Sequence, residues 1–305
     1  MKVMAEMFSN ATNETTHFST GYKVGLVFMY SLILLGGAVG TILMSTVLRS
    51  NMLSITTVSV INLLVVHLLF LLTVPFRIYY FTRGQWDLGY GFCKMVSSMI
   101  HAHMFLSFIF YIIILIARYL AFFEWGHIQG FFRTLHAVIA SMSVWAIVLG
   151  SALPATIITY GSSANGTRSD QMCFEFGSSL TSKNVRILNY FMSAMVLSIW
   201  TVLACVQLLI LWRVYRRYGQ ASYVHQEFWA QIKSLCFVLI MFICFVPYNA
   251  FRIYYINQYT TGLQEVNEVF LTFTAFSCFD ILAFAGKKVW RMDHIQCCSS
   301  CERKC

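Results

Sequence analysis

"INLLVVHLLFLLTVPFRIYY", residues 61–80, is a long apolar run with one imidazole, His67, near its middle. Twenty residues rise about 30 Å as an α-helix, which matches the hydrocarbon core of a bilayer. A lone histidine on an apolar face is ordinarily a satisfied core residue, and a polar partner elsewhere in the chain would change that reading. The surrounding sequence supports a membrane setting. Of 305 residues, 58% are hydrophobic and only 11% are charged, too few charges to cover a water-soluble surface.

Working outward from this run, apolar stretches of spanning length occur at about 24–48, 57–80, 95–122, 136–158, 187–212, 231–256 and 266–285. The expected fold class is therefore an all-α membrane protein, a seven-transmembrane helix bundle. Connections are short, with no internal repeat, charge run or Pro/Gly/Ser-rich linker, so the bundle itself forms one domain over 24–285. A tail at 1–23 precedes it, and an amphipathic helix with a Cys-rich tail at 286–305 follows. The opening "MKVMAEMFSNATNETTHF" lacks an uninterrupted apolar segment with a small-residue cleavage site, so the first span is expected to act as its own insertion signal.

Two signals orient the chain. The glycosylation pattern N-x-[ST] falls at Asn10, Asn13 and Asn165, which share one side when seven spans are counted. The other side collects Arg49, Arg118, Arg133, Arg213, Arg216, Arg217, Lys233, Lys287, Lys288, Arg291, Arg303 and Lys304 against only Glu124, Glu227, Asp293 and Glu302. That leaves nine of the 21 basic residues and, with Asp280 set apart inside the bundle, seven of the 12 acidic residues for the first side. By the positive-inside rule the N-terminus is expected outside and the C-terminus in the cytosol. The net charge of +9 then reflects a basic cytosolic face, not a nucleic-acid site.

Cys93 and Cys173 are the only cysteines expected on the oxidising side and can bridge the outer loop to the bundle. Cys205, Cys236, Cys244 and Cys278 lie in spans and read as small apolar packing residues. In the basic tail, "CCSSCERKC" places Cys297, Cys298, Cys301 and Cys305 next to the membrane, which favours S-palmitoylation over a zinc site because no histidine or carboxylate cluster accompanies them.

This ordered set resembles the rhodopsin-like class of G-protein-coupled receptors, in the branch that holds the purinergic receptors. "ARY", Ala117-Arg118-Tyr119, at the inner end of the third run resembles the family's Asp-Arg-Tyr. "SVWAIVLGSALP" carries a tryptophan, Trp145, followed by Pro154. "FICFVPYNAFRIYY", residues 242–255, is similar to F-x-x-C-[WF]-x-P-Y, with Phe245 at the aromatic position and Pro247 kinking the helix. "SCFDILAF", residues 277–284, looks like a degraded [ND]-P-x-x-Y, with Ile281 and Phe284 in place of Pro and Tyr. The resemblance implies a plasma-membrane, multi-pass receptor for an extracellular ligand, with a heterotrimeric G protein as partner and membrane lipids around it. No cofactor, metal or nucleic acid is expected, and no enzymatic activity.

The departures bear on mechanism. Ala117 removes the acid beside Arg118, which would raise basal coupling, while Glu227, 20 residues before Pro247, stands where the family can place a carboxylate against that arginine. An Arg118–Glu227 pair is therefore expected. Where the family usually has a sodium-binding aspartate, this chain has His67. Ser107 is retained nearby, and the one intramembrane acid is Asp280. An ionisable group in hydrocarbon costs on the order of 3 kcal/mol unless paired or hydrated, so His67 and Asp280 are expected to meet. Proton-coupled charge would then replace sodium at the centre.

A ligand cavity should open outward, and its candidate polar residues are Arg77, Tyr80, His101, His103, Asn249, Arg252, Tyr255 and Glu268. Arg77 and Arg252 fall at a depth suited to an anionic ligand, and the resemblance implies that a basic residue at the place of Arg252 contacts one. Both could instead snorkel to the interface. His101 and His103 point about 200° apart around a helix, so they cannot chelate one metal together. Two other classes fit the sequence less well. An intramembrane metal-dependent hydrolase needs more converging histidines and acids than His67 and Asp280 supply. A transporter would show inverted repeats or charged pore linings, and neither is visible.

Overall fold

The computed structural model describes residues 2–48, 55–123, 130–152, 173–174, 183–219, 225–258 and 261–280. Asn165, Phe284, Cys297, Cys298, Cys301 and Cys305, with the whole tail at 286–305, lie outside the described residues. Asn10 and Asn13 lie on a stretch described by its backbone alone.

Among the described residues every regular element is helical. The first helix, Lys2–Leu48, carries its apolar window at Gly21–Thr46. The second span is two helices, Ile55–Leu71 and Val74–Arg83. Pro75 causes the break, since its ring lacks an N–H and would collide with the carbonyl one turn back. Thr73 stitches the gap through its hydroxyl and N–H, which both donate to the Phe70 carbonyl at 2.7 and 2.8 Å. Gly84, at φ 73°, closes the second piece in the left-handed conformation that glycine adopts without strain.

The third span, Tyr90–Phe122, is continuous and runs through the middle of the bundle. Its buried face includes Ile100, Met104, Phe108, Tyr111 and Leu115, a spacing of three to four residues. The fourth, Gly130–Ile147, loosens into a π-helical turn at Val148–Ala152. Trp145 of this span donates its indole N–H to Asn62 Oδ1 at 2.8 Å, and Asn62 in turn donates to Ser141 at 3.1 Å. These two bonds lock the fourth span to the second.

The fifth and sixth spans, Lys183–Tyr218 and Gln226–Asn257, pack along most of their length, with Pro247 inside the sixth helix. The seventh, Thr261–Thr274, tightens into a 3-10 helix at Ala275–Phe279. Close approach to the first span explains Gly36, where a Cβ would overlap the Phe279 ring. Lipid-exposed apolar residues such as Phe28, Ile42, Leu209 and Ile243 cover the outside, as a bilayer solvent requires.

Candidate functional site

Polar groups inside the helices gather in three layers. In the outer layer Arg77 is fully buried, and its Nη1 donates to Glu268 Oε1 at 2.8 Å and to the Tyr30 hydroxyl at 3.0 Å. Tyr30 also accepts from Thr272 at 3.0 Å, so the first, second and seventh spans share one polar knot. Phe174 closes it from outside. Its ring lies 4.3 Å from the guanidinium carbon, over the cation's face. The disulfide Cys93–Cys173 fixes the residue before it to the third span. Tyr80 packs edge-on against Phe174 and Trp86.

Arg252 forms a second outer cluster between the fifth, sixth and seventh spans. Its Nε and Nη2 donate to Asn189 Oδ1 at 3.2 and 3.0 Å, and Nη1 donates to Asn267 Oδ1 at 3.1 Å. Amide oxygens accept these bonds and orient the guanidinium. Tyr255 lies beneath, 5.4 Å from ring centroid to guanidinium carbon. His101 is buried on the third span and bonded to its own helix at Ser97 O. Asn249 turns its amide to the Phe245 carbonyl of its own helix at 2.9 Å.

The central layer brings His67 and Asp280 together, with Nε2 and Oδ1 3.3 Å apart. The other carboxylate oxygen, Oδ2, accepts from the Tyr111 hydroxyl at 2.5 Å. On its opposite edge His67 Nδ1 lies 2.9 Å from His103 Nε2, and Cys278 Sγ lies 3.5 and 3.4 Å from those two nitrogens. A local deformation lets Cys278 and Asp280 both reach one imidazole. In an α-helix residues two apart point about 160° apart, whereas the 3-10 turn here reduces that to about 120°. Ser107 and Ser277 hydroxyls are buried beside this cluster without hydrogen-bond partners.

At the inner end Arg118 donates to Ser234 Oγ at 3.3 Å and to the Ala230 carbonyl at 3.5 Å, with Phe237 beneath it. The expected Arg118–Glu227 pair is not the contact made. Glu227 sits seven residues before Ser234, about 10 Å nearer the helix end, and accepts instead from Tyr218 at 3.0 Å. Tyr119 donates to the Leu203 carbonyl at 3.3 Å, tying the third span to the fifth. Phe245, one turn from Pro247, is fully buried edge-on against Phe108.

Two further expectations are corrected. His103 belongs to the central layer, where it meets His67 and stacks on Phe70 at 4.4 Å, and is not part of the outer pocket. Cys278 is not apolar filling, since it faces two imidazoles. Sequence reasoning also missed Tyr111 and Asn189. Tyr111, 169 residues before Asp280, shows no pattern of its own; only its place on the third span's buried face could have pointed to it.

Against known proteins, residues 39–283 match the family described as 7 transmembrane receptor (rhodopsin family). The chain is 40% identical over 273 residues to probable G-protein coupled receptor 141 of Homo sapiens, covering 87% of this chain and 89% of that one. Probable G-protein coupled receptor 34 of Mus musculus is 27% identical over 225 residues, 70% of this chain and 59% of its own length. Lysophosphatidic acid receptor 6 of Homo sapiens is 31% identical over 107 residues, 35% of this chain and 31% of its own. Seven-helix matching over most of the chain, a disulfide at the head of the third span and an arginine at its foot converge on one conclusion: the chain belongs to the rhodopsin family of seven-transmembrane G-protein-coupled receptors.

Proposed function

We propose that this receptor lies in the plasma membrane with its N-terminus outside, binds a single-chain anionic lipid in its outer layer, and passes that event to a heterotrimeric G protein at Arg118. The observation that carries the ligand class is Arg252. Its guanidinium is buried and its planar head is set by Asn189 and Asn267, as a two-point reader of phosphate or carboxylate requires. A relative whose name specifies lysophosphatidic acid supports the same class. Asn10, Asn13 and Asn165 would carry glycans outside, and Cys297, Cys298, Cys301 and Cys305 would carry palmitate inside.

The resting contact at the inner end is the bond from Arg118 to Ser234 and Ala230, which holds the sixth span against the third. Pro247 lies 13 residues further out, a lever of about 20 Å. A small rotation at the hinge therefore breaks weak bonds at the foot. The absence of an acid at 117 leaves those bonds as the hold on Arg118, so Ser234→Ala raises basal exchange.

The test is nucleotide exchange on a G protein co-reconstituted with the purified receptor in nanodiscs, challenged with lysophosphatidic acid and other single-chain anionic lipids. Stimulation abolished by Arg252→Ala, with expression and folding retained, is expected. A response indifferent to Arg252→Ala retires the anionic-ligand reading, and loss of exchange in no Arg118 variant retires the coupling site.

A further inference from the structure

The central layer contains a donor set that the signalling reading does not use. His67 Nδ1, His103 Nε2 and Cys278 Sγ come from three different spans, all are buried, and they face one another across 2.9, 3.5 and 3.4 Å. In a tetrahedral zinc site, bonds of about 2.0–2.1 Å to nitrogen and about 2.3 Å to sulfur separate nitrogen pairs by about 3.3 Å and nitrogen–sulfur pairs by about 3.6 Å. A few tenths of an ångström of opening would admit the ion. We propose that these three residues bind a zinc ion at the centre of the bundle.

Three features favour a metal over a chance hydrogen-bonded cluster. The first is donor type. Two imidazoles and a thiolate suit zinc and other borderline or soft ions, whereas sodium needs oxygen. The second is outer support. A metal-bound histidine commonly donates its other ring N–H to a carboxylate; His67 Nε2 lies 3.3 Å from Asp280 Oδ1, an ion-pair contact in which neither atom yet completes a hydrogen bond, and Asp280 is itself held by Tyr111. His103 lacks such a partner on Nδ1, so the support is one-sided. The third is charge. With both ring nitrogens of His67 protonated, the imidazolium and the Asp280 carboxylate sum to zero. Zinc would displace one proton from His67 Nδ1 and one from the Cys278 thiol, leaving Zn2+, one thiolate and one carboxylate, again zero. The exchange of two protons for one divalent ion therefore costs the bundle no net charge. Among the described residues the other titratable groups at this level are Tyr111 and, on the sixth span, Cys244. The hydroxyls of Ser107, one turn from His103, and Ser277, next to Cys278, are buried and make no hydrogen bond in this structure.

The experiment uses the full chain with Cys297, Cys298, Cys301 and Cys305 changed to Ser, so that the tail cannot supply sulfur. Purified in detergent, it is titrated with cobalt(II), and zinc is then added in competition. One equivalent of cobalt giving thiolate-to-metal charge-transfer absorption, bleached by zinc, is expected, together with a higher unfolding temperature in zinc. Cys278→Ser should remove the absorption, and Asp280→Asn should weaken zinc about 10- to 100-fold while keeping the absorption, since it touches only the outer support. Absence of the band in the tail-substituted chain overturns the proposal without any bundle variant, and a band that survives in folded Cys278→Ser overturns it as well. Should Cys278→Ser fail to fold, His103→Gln in the same background serves, and unchanged zinc affinity there overturns the assignment.

Discussion

Arg77 and Arg252 lie in the same outer layer, both buried, yet they are built differently. Arg77 has a carboxylate, Glu268, and a tyrosine as partners and an aromatic ring laid across its face. Arg252 has the amide oxygens of Asn189 and Asn267. The first arrangement neutralises a cation and ties the first, second and seventh spans together. The second orients its guanidinium through amide oxygens, and the proposed recognition of an anion rests on that orientation. Depth and residue type, the features a sequence offers, are the same for both, so the partners decide the role.

The largest effect should come from breaking the first site. Glu268→Ala leaves a buried guanidinium without its carboxylate and is expected to cost about 3–5 kcal/mol, read as a fall in the unfolding temperature of the purified receptor. Replacing both partners, Arg77→Met with Glu268→Leu, should recover most of that loss, because the uncompensated charge is what is expensive. Failure of the double variant to recover would mean that Arg77 does more than tie helices.

Phe174→Ala should cost less, about 2 kcal/mol, by uncovering Arg77 and the rings of Phe81 and Tyr80 around it. Thermal unfolding measures it, and lipid-stimulated exchange through Arg252 should survive. Converting the second site into a copy of the first is more discriminating. Asn267→Asp puts a carboxylate where the amide now accepts from Arg252 Nη1 at 3.1 Å. Stability should change by no more than about 1 kcal/mol while the response to an anionic lipid is lost, and a retained response would erase the distinction between the two arginines. The smallest effect belongs to Glu227→Gln. It touches an exposed bond from Tyr218, so neither the unfolding temperature nor basal exchange should change measurably.

The approach of His67 to Asp280 was readable in advance because two ionisable groups in hydrocarbon have few alternatives to each other. Their surroundings were not. Whether His101 or His103 turns toward His67 depends on the rotation of the third span, and two candidates about 200° apart leave that open. Cys278 looked apolar because cysteine usually packs as a small hydrophobe. Its position became polar through the 3-10 tightening of the seventh span, which hydrophobic periodicity does not encode. Likewise Arg77 and Glu268 could each be placed in the outer layer, but their pairing spans 191 residues and rests on how the seventh helix is turned. Arg118 meets Ser234 where Glu227 was expected because the crossing of the third and sixth spans sets which turn lies opposite the guanidinium.

Phe174 sits at φ 68°, a backbone conformation costly for a bulky L-residue, and its neighbour Cys173 is covalently anchored to Cys93. Cys173 and Phe174 thus resemble a cocked latch held by a thiol-sensitive pin. Reduction of that disulfide would let the ring relax away, water would reach Arg77, and the first, second and seventh spans would lose a brace without any ligand having arrived.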